Sequence, residues 1–358
     1  MWSIPKDILE AEILCRLPIK SLLRFKCVSK EWHSLISDPK FALYRQKKQG
    51  EIDNNNTIHQ RVLVLAISPD RLQSLHCLTR CITELNFNFP FESRPNVIIG
   101  SCNGLVCMAL HGCKDFFIYN PSTRAYKKLP DPDISLGSPY LYGFGYDSST
   151  DDYKVLAVSC LRVLLKVFSM KAFSWRDVQY NLGVKLFYGT ESPPKGCLFN
   201  GALHWLVSGF HFGSQDPVII AFDLAEEKFC RVGEVCHPRS VSLGVVGGCL
   251  SLNVCCSNCV DKTTDFELWV MKQYGVHSSW ERLTKIDSDI MVRYHGSLVT
   301  LCTATGTNGG DEIIMINKWR EFISCNLNER NLEEIYRPNF DWSETVSYTE
   351  SILSPNVL

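Results

Sequence analysis

Residues 201–229 read GALHWLVSGFHFGSQDPVIIAFDLAEEKF, and this stretch carries both of the patterns that determine the fold. In the first pattern, a glycine is followed at once by apolar residues that enter a strand, as Gly201 is followed by Ala202. In the second, the short polar residue Asp223 precedes the aromatic Phe229 by six positions. A short polar side chain can bond the nearby backbone and start a turn, and a constant offset fixes the register of the hairpin. The stretch therefore predicts antiparallel strands joined by a tight turn.

Both patterns recur along the chain at a nearly constant spacing. The glycine pattern is found at Gly104, Gly201, Gly248 and Gly296. The turn pattern is found at Asn120 with Tyr126, Ser169 with Trp175, Asp223 with Phe229, and Asn326 with Leu332. The glycines are 97, 47 and 48 residues apart, so a copy without glycine is expected at Asp152 and a further copy near 344–350. A unit of about 48 residues that repeats over about 300 residues predicts an all-β, kelch-like β-propeller of about six blades.

The composition excludes several classes of protein. The chain has 358 residues, of which 45% are hydrophobic, and a formal net charge of -1, so neither a disordered chain nor a basic nucleic-acid binder is expected. No apolar run reaches the length of about 18 residues that would predict a membrane span. The 17 cysteines are an odd number, and no signal peptide is visible. We therefore expect reduced thiols and a cytoplasmic or nuclear protein.

The first fifty residues have a different pattern, that of short helices. Pro18 is expected to end the first helix, Ser21 and Ser29 to cap the next two, and residues 41–48 to form a fourth. This segment carries a charge of +5, which leaves -6 for the rest of the chain. The asymmetry indicates either an acidic partner or a solvated basic face. The surplus of apolar residues also needs a second surface, provided by a partner or by the body of the chain.

This helical head resembles an F-box of the plant type. The resemblance rests on IPKDIL at 4–9, EILCRLP at 12–18 and KSLLRFKCVSKEW at 20–32. It implies docking onto a Skp-type adaptor and, through the adaptor, onto a cullin scaffold. By position, the adaptor-binding face would comprise Pro5, Ile13, Leu14, Leu17, Pro18, Leu22, Leu23, Cys27, Val28 and Trp32. Four residues, instead of the usual three, separate Asp7 from Glu12, so either the first helix starts one residue later or Pro5 and Asp7 lose their usual contacts.

The rest of the chain, from about residue 97, resembles the F-box-associated domain of plant F-box proteins. The motifs are YGFGYD at 142–147, DYKV at 152–155, LHW at 203–205, FDL at 222–224 and LWVMK at 268–272. The resemblance implies a kelch-like fold that binds a target protein. We therefore expect an F-box domain over residues 1–48, a linker over 49–60 and a target-binding propeller over 61–358.

Long polar connections between strands are the candidate contacts for a target. In a four-stranded blade, the links between second and third strands share a face with the links between blades. Recognition residues are often found on such loops. The candidate loops are 208–217, 256–265 and 305–311, with Phe210, His211, Phe212, Asp261, Lys262 and Asn308 as the predicted contact residues.

No catalytic motif is apparent, since the sequence contains no P-loop, G-x-S-x-G or H-E-x-x-H. Cys256 and Cys259 form a single C-x-x-C pair, whereas tetrahedral zinc requires four ligands, so neither a metal nor another cofactor is predicted.

Together with the resemblance, these observations predict a non-catalytic subunit of a Skp–cullin–F-box (SCF) ubiquitin ligase. It would recruit a target protein for ubiquitination and degradation by holding it near the ubiquitin carrier. Two alternatives remain open at this level. One is an F-box protein that binds the adaptor without ubiquitin transfer, and the other is a metalloenzyme built on a kelch-like propeller.

Overall fold

The computed structural model describes residues 13–52, 60–66, 72–85, 95–110, 115–133, 140–159, 164–180, 186–187, 195–209, 217–234, 240–257, 264–291, 298–305, 311–317, 319–340 and 342–358. Helices dominate the described residues up to residue 52, and strands dominate those that follow. We refer to residues 13–52 as the head. Pro5 and the first predicted helix up to residue 12 lie outside the described residues.

The head begins with a 3-10 turn, Leu14–Arg16, followed by the helices α1 (Ile19–Phe25), α2 (Lys30–Ser37) and α3 (Pro39–Ile52). Helix α1 follows Pro18 directly, so Ser21 lies inside the helix and is not its predicted cap. Ser29 caps α2 as predicted, because its Oγ accepts a hydrogen bond from the backbone N–H of Trp32 at 3.1 Å. Since α3 runs to Ile52, residues 49–52 are helical although they were predicted as linker.

The strands are, in chain order, β1 (Gln60–Ala66), β2 (Leu72–His76), β3 (Ile82–Leu85), β4 (Pro95–Cys102), β5 (Leu105–Leu110), β6 (Phe116–Tyr119), β7 (Tyr126–Lys128), β8 (Tyr140–Asp147), β9 (Asp152–Ser159), β10 (Leu164–Ser169), β11 (Ser174–Val178), β12 (Leu186–Phe187), β13 (Cys197–Phe199), β14 (Ala202–Gly209), β15 (Pro217–Asp223), β16 (Lys228–Glu234), β17 (Ser240–Val246), β18 (Cys249–Ser257), β19 (Thr264–Met271), β20 (Trp280–Ile286), β21 (Leu298–Thr305), β22 (Asp311–Asn317), β23 (Phe322–Asn326), β24 (Leu332–Tyr336) and β25 (Trp342–Thr349). One short helix, α4 (Ser288–Met291), lies between β20 and β21.

Among the described residues, these strands form six antiparallel sheets, the blades of a β-propeller. Blade 1 combines β25 with β1, β2 and β3, and blades 2 to 6 follow in chain order as β4–β7, β8–β11, β12–β16, β17–β20 and β21–β24. In blade 4 the first strand is split into β12 and β13, which both pair with β14. Blade 1 closes the ring, because Gln60 of β1 pairs with Thr349 of β25. The prediction of a propeller with about six blades is confirmed.

Turns between the third and fourth strands confirm the second sequence pattern. Asn120, Asp223 and Asn326 each accept backbone N–H bonds from the residues two and three positions later. Ser169 accepts a bond from the N–H three positions later, that of Ala172. The fourth residue after each of these polar residues has a positive φ; these residues are Arg124, Phe173, Glu227 and Arg330. The repeated spacing therefore reflects one repeated turn geometry.

Blade 1 contains a fifth copy of this turn that the sequence analysis missed. His76 precedes Ile82 by six residues, its Nδ1 accepts the N–H of Thr79 at 3.2 Å, and Arg80 has a φ of 57°. Histidine was overlooked because it is not one of the short polar residues that commonly start turns.

The glycine pattern marks turns between first and second strands in three blades, where Gly104, Gly201 and Gly248 all have positive φ. The copy predicted at Asp152 is confirmed, since β9 begins there. The assignment of Gly296 as an equivalent position is wrong. Gly296 lies outside the described residues and precedes β21, the first strand of blade 6, whereas the second strand begins at Asp311. The long turn between β19 and β20 (residues 272–279) and the connection that contains α4 together delay β21, so the expected spacing fell on the wrong strand.

The copy predicted near 344–350 falls in β25. This strand takes the first position of blade 1, whereas most glycine copies mark second strands. The spacing therefore located a strand correctly but misjudged its position in the blade.

Apolar side chains fill the space between successive blades. Trp205 of blade 4 belongs to one such cluster with Leu141 and Val167 of blade 3, and its indole N–H donates to the carbonyl of Tyr142 at 2.9 Å. Polar contacts also link second strands to the third–fourth turn of the next blade. These contacts are Lys154 with Glu227 at 2.9 Å, His204 with Tyr274 at 2.7 Å, and Glu312 with Arg80 at 3.5 Å.

Candidate functional site

The buried side chains of the head belong to a core that continues into blades 2 and 3 of the propeller. Leu14 and Leu22 are fully buried in this core together with Ile19, Ile36 and Phe41. Both leucines were predicted on the adaptor-binding face, but in this conformation they stabilise the head and offer no exposed surface. Helical spacing identifies an apolar face without showing whether a partner or the same chain covers it.

The remaining predicted residues of the head leave an apolar surface, which we define as Ile13, Leu17, Pro18, Leu23, Cys27, Val28 and Trp32. Val28 is 66% exposed and Ile13 38% exposed, whereas the indole of Trp32 is half-buried. The Trp32 ring packs edge-to-face on Phe25, with ring centroids 5.1 Å apart. Their role in adaptor binding stays a prediction, and Val28 is the residue that such a partner would cover most.

A buried arginine holds the helices of the head together. The Arg45 guanidinium on α3 donates to the carbonyl of Leu17 at 2.8 Å. Burial lowers the pKa of Arg45 to about 10, although the negative charge of Glu350 acts in the opposite direction. Glu350 follows β25 directly and also forms an ion pair with Arg61 of β1 at 2.6 Å. The hydrogen bond therefore holds Leu17 of the apolar surface against α3. The charge of Glu350 couples α3 electrostatically to the strands β25 and β1, which close the ring.

Residues 350–358, which we call the tail, lie on blade 2. Asn120, in the third–fourth turn of that blade, donates through its Nδ2 to the carbonyls of Ser351 at 2.9 Å and Leu353 at 2.6 Å. The Lys127 ammonium donates to the Leu358 carbonyl oxygen at 3.2 Å.

The start of α3, including Pro39 and Leu43, lines a cavity of about 250 Å³ with Asp151, Met170 and Leu358. Asp151 and Met170 lie in turns of blade 3. The head thus rests on the face formed by the first–second and third–fourth turns, which we call the head face.

The opposite face carries the links between second and third strands. The strands β14 and β15, and likewise β18 and β19, are second and third strands, so the strand ends at Gly209 and Ser257 lie at this opposite face. Residues 210–216 and 258–263 lie outside the described residues. The contact residues predicted there lie outside the described residues; they are Phe210, His211, Phe212, Asp261 and Lys262.

The third candidate loop was assigned to the wrong face. Strands β21 and β22 are the first and second strands of blade 6, so Thr305 and Asp311, at their neighbouring ends, lie at the head face. Asn308 lies within the link and outside the described residues. The error has the same cause as the misassignment of Gly296, because the extra residues before β21 displaced the expected strand order.

Trp319 is a large exposed side chain on the opposite face that the sequence analysis did not select. It lies in the short link between β22 and β23 and is 60% exposed. Arg320 beside it has a φ of 66°. Candidate loops were chosen by length, and this link is too short to stand out. A tryptophan in a polar link was the signal available.

First strands of the blades surround a channel of about 490 Å³. Small and polar residues line it, among them Ser101, whose Oγ donates to the Ser347 carbonyl at 2.5 Å. Lys195 also lines the channel and pairs with Glu344. The channel is therefore polar along part of its wall.

Among the described residues, no three His, Cys, Asp or Glu side chains are grouped as ligands for a metal ion. Cys259 of the C-x-x-C pair lies outside them. His204 is a structural residue, as predicted: Nε2 lies 2.7 Å from the Tyr274 hydroxyl and Nδ1 3.2 Å from the Cys197 carbonyl. Burial lowers the pKa of His204, which favours the neutral ring. No helix in the described part of the chain is long and apolar enough to cross a membrane.

Family comparisons agree with this architecture. The F-box domain model matches residues 4–44, and the model of the F-box associated beta propeller domain matches residues 55–332. The chain therefore belongs to the F-box proteins that carry an F-box associated beta propeller domain. This combination is typical of SCF substrate receptors, which are generally non-catalytic, and an F-box domain in general implies binding to a Skp-type adaptor.

Curated relatives from Arabidopsis thaliana carry corresponding names. F-box/kelch-repeat protein At3g23880 is 31% identical over 301 residues, which cover 79% of this chain and 79% of that protein. F-box protein CPR1 is 29% identical over 334 residues and covers 82% of this chain, with 75% of its own length matched. F-box protein At4g22390 is 27% identical over 317 residues, with 80% of this chain and 74% of that protein covered.

Proposed function

We propose that this chain is the target-recognising subunit of an SCF-type ubiquitin ligase in the cytoplasm or nucleus. The head would bind a Skp-type adaptor and through it a cullin, while the propeller would hold a protein that becomes ubiquitinated and degraded. One observation carries the proposal: an F-box head with an exposed apolar surface is joined to a propeller whose opposite face lies away from the head.

Adaptor binding would depend on covering the apolar surface of the head. Burying a valine side chain contributes on the order of 1.5 kcal/mol, and a charge placed there would have to be desolvated. Val28 lies in the connection between α1 and α2, where its backbone N–H donates to the Phe25 carbonyl at 3.0 Å. Because its side chain is 66% exposed, it can be replaced without disturbing the buried leucines.

The propeller would contribute proximity and no covalent chemistry. Holding a target lysine near a charged ubiquitin carrier replaces a bimolecular encounter with an effectively intramolecular one. A target on the opposite face would leave the head accessible to the adaptor, and Trp319 is the described residue best suited as an anchor there, since tryptophan is enriched among residues that dominate binding energy.

The test is co-expression of the full chain with a plant Skp-type adaptor, followed by size-exclusion chromatography. We expect a stoichiometric complex with the unmodified chain and at least about a tenfold loss of affinity in Val28→Asp. Val276→Asp is the matched control, because Val276 is 41% exposed in a turn of blade 5. Equal binding by the unmodified chain and by Val28→Asp would contradict the proposed surface.

Ubiquitin transfer requires a separate measurement in plant cells. Candidate targets captured by the propeller should accumulate when cullin activity is inhibited, and less so in cells that express Trp319→Ala. Adaptor binding without any cullin-dependent change in captured proteins would instead support an F-box protein that acts outside ubiquitin transfer.

A further inference from the structure

Two cysteines far apart in the sequence are neighbours at the junction between blades 6 and 1. Cys77 follows β2 of blade 1, and Cys302 lies in β21 of blade 6, 225 residues further along the chain. Their Sγ atoms are 3.1 Å apart, and both side chains are buried. A disulfide needs a separation of about 2.0 Å, so the sulfur atoms have about 1 Å to move.

The pair lies next to the wall of the central channel. Cys302 lines the channel together with its neighbours Leu301 and Thr303. A molecule the size of hydrogen peroxide can enter a cavity of about 490 Å³, whereas a protein thiol or an oxidising enzyme cannot. The pair is therefore protected from macromolecules, and a small oxidant would reach it through the channel wall at Cys302, because Cys302 is only 3% and Cys77 only 2% exposed.

We propose that Cys77 and Cys302 form a disulfide when the protein is exposed to a peroxide, and that this bond locks the propeller ring. One sulfur attacks the peroxide, the O–O bond breaks, and a sulfenic acid and one water molecule result. The second sulfur then displaces the sulfenic oxygen, which leaves as a second water as the S–S bond forms. Two thiols are thus oxidised while one peroxide is reduced to two waters.

Such a bond would reinforce the closure of the ring. Blade 1 is assembled from strands far apart in the chain, and β25 and β1 are joined by backbone hydrogen bonds. The disulfide would link blade 1 to blade 6 covalently and enclose the strands from β3 to β20 in one loop. Because long loops lose the most entropy when they are closed in the unfolded state, the oxidised ring should resist unfolding more strongly.

Formation of this bond is slow at neutral pH. The hydrogen bond with Cys77, and then burial, raise the pKa of the Cys302 thiol well above its usual value. The thiolate is the reactive species, so its scarcity limits the rate. At pH values below the pKa, the rate should rise about tenfold for each unit by which the pH is increased.

The experiment uses the reduced full chain treated with hydrogen peroxide. Remaining thiols are then alkylated, and the unreduced protein is digested and examined by mass spectrometry. We expect a peptide pair linked through Cys77 and Cys302, faster linkage at higher pH, and reversal by a thiol reductant. The thermal midpoint should rise by about 5–10 °C on oxidation.

Three variants make the result decisive. Cys77→Ala and Cys302→Ala should each lose the linked peptide and the shift of the midpoint, so either variant suffices if the other fails to fold. Cys325→Ala removes a buried thiol from β23 of the same blade and should keep both. Absence of the linked peptide while the exposed Cys27 is oxidised, or a midpoint shift that persists in Cys302→Ala, would overturn the proposal.

Discussion

Two hairpin turns of the propeller share a sequence but not an environment. Asn103-Gly104 in blade 2 and Asn200-Gly201 in blade 4 both join a first to a second strand, and all four residues have φ between 47° and 77°. A Cβ added to Gly104 would lie 2.2 Å from the Ser351 Cβ, whereas one added to Gly201 would meet nothing within 4 Å. The conformation of the turn therefore depends on the local sequence. Its coverage by the tail in blade 2 depends on residues that are distant in the chain.

The third–fourth turns of blades 2 and 6 show the same contrast. Asn120 and Asn326 each accept two backbone N–H bonds within their own turns. Asn120 also donates to the carbonyls of Ser351 and Leu353, and it is fully buried. The repeat therefore supplies equivalent turns, and packing of the tail gives the blade 2 copy a second role.

Alanine at the two glycines should give the largest difference. A non-glycine residue at positive φ costs about 1–2 kcal/mol, and overpacking adds roughly 1–3 kcal/mol. We expect Gly104→Ala to lower the free energy of unfolding by about 3–4 kcal/mol and Gly201→Ala by about 1 kcal/mol, measured by urea denaturation. Equal losses would mean that the tail moves away from the added Cβ at little cost in free energy, and that the two turns do not differ in stability.

Alanine at the two asparagines should give the next largest difference. Asn120→Ala removes the turn acceptor and leaves two carbonyls of the tail without their donor, whereas Asn326→Ala removes only the turn acceptor. We expect losses of about 3 and about 1 kcal/mol, respectively, in chemical denaturation. Asn120→Asp keeps the acceptor and should recover only part of the loss; full recovery would show that the bonds to the tail contribute nothing.

The first–second turn of blade 3 contains no Asn-Gly pair and is stabilised by Asp147, so acid should destabilise it. Burial alone would raise the pKa of Asp147, but bonds from Ser149, Thr150 and Lys154 outweigh it and hold the pKa well below its usual range. The stabilisation is therefore complete above the unfolded pKa of about 3.9 and is lost as the pH falls below it.

Comparing the free energies of unfolding at about pH 7 and about pH 3 measures this stabilisation, and we expect a loss of about 1 kcal/mol that Asp147→Asn removes. Asp177→Asn, at an exposed ion pair with Lys166 in the same blade, is the control and should leave the acid loss unchanged. An unchanged acid loss in Asp147→Asn would assign the effect to other carboxylates.

Much of the architecture could be predicted from local patterns. The turns at Asn120, Asp223 and Asn326 were found because a short polar residue and a fixed offset leave a direct trace in the sequence. The turn at His76 was missed because histidine is an uncommon turn residue. The spacing failed at Gly296, because the long turn between β19 and β20 and the connection containing α4 add residues before β21.

The candidate interfaces were less predictable than the fold. Apolar spacing in the head identified Leu14, Leu22 and Val28 together, although the first two are buried and the third is exposed. Loop length selected residues 305–311 for the wrong face and overlooked Trp319. In each case the sequence identified the residue type, while its exposure and its face depended on neighbours that are distant in the chain.

The sequence by itself determined the helical head, the repeated turns and the number of blades, because these depend on contacts among residues close in the chain. Tertiary structure alone decided which turn the tail covers, which head residues stay exposed and which thiols meet. The contact of Asn120 with Leu353 spans 233 residues, and that of Cys77 with Cys302 spans 225. Such contacts exist only once the ring is closed, since no local pattern encodes which distant residues the closure brings together.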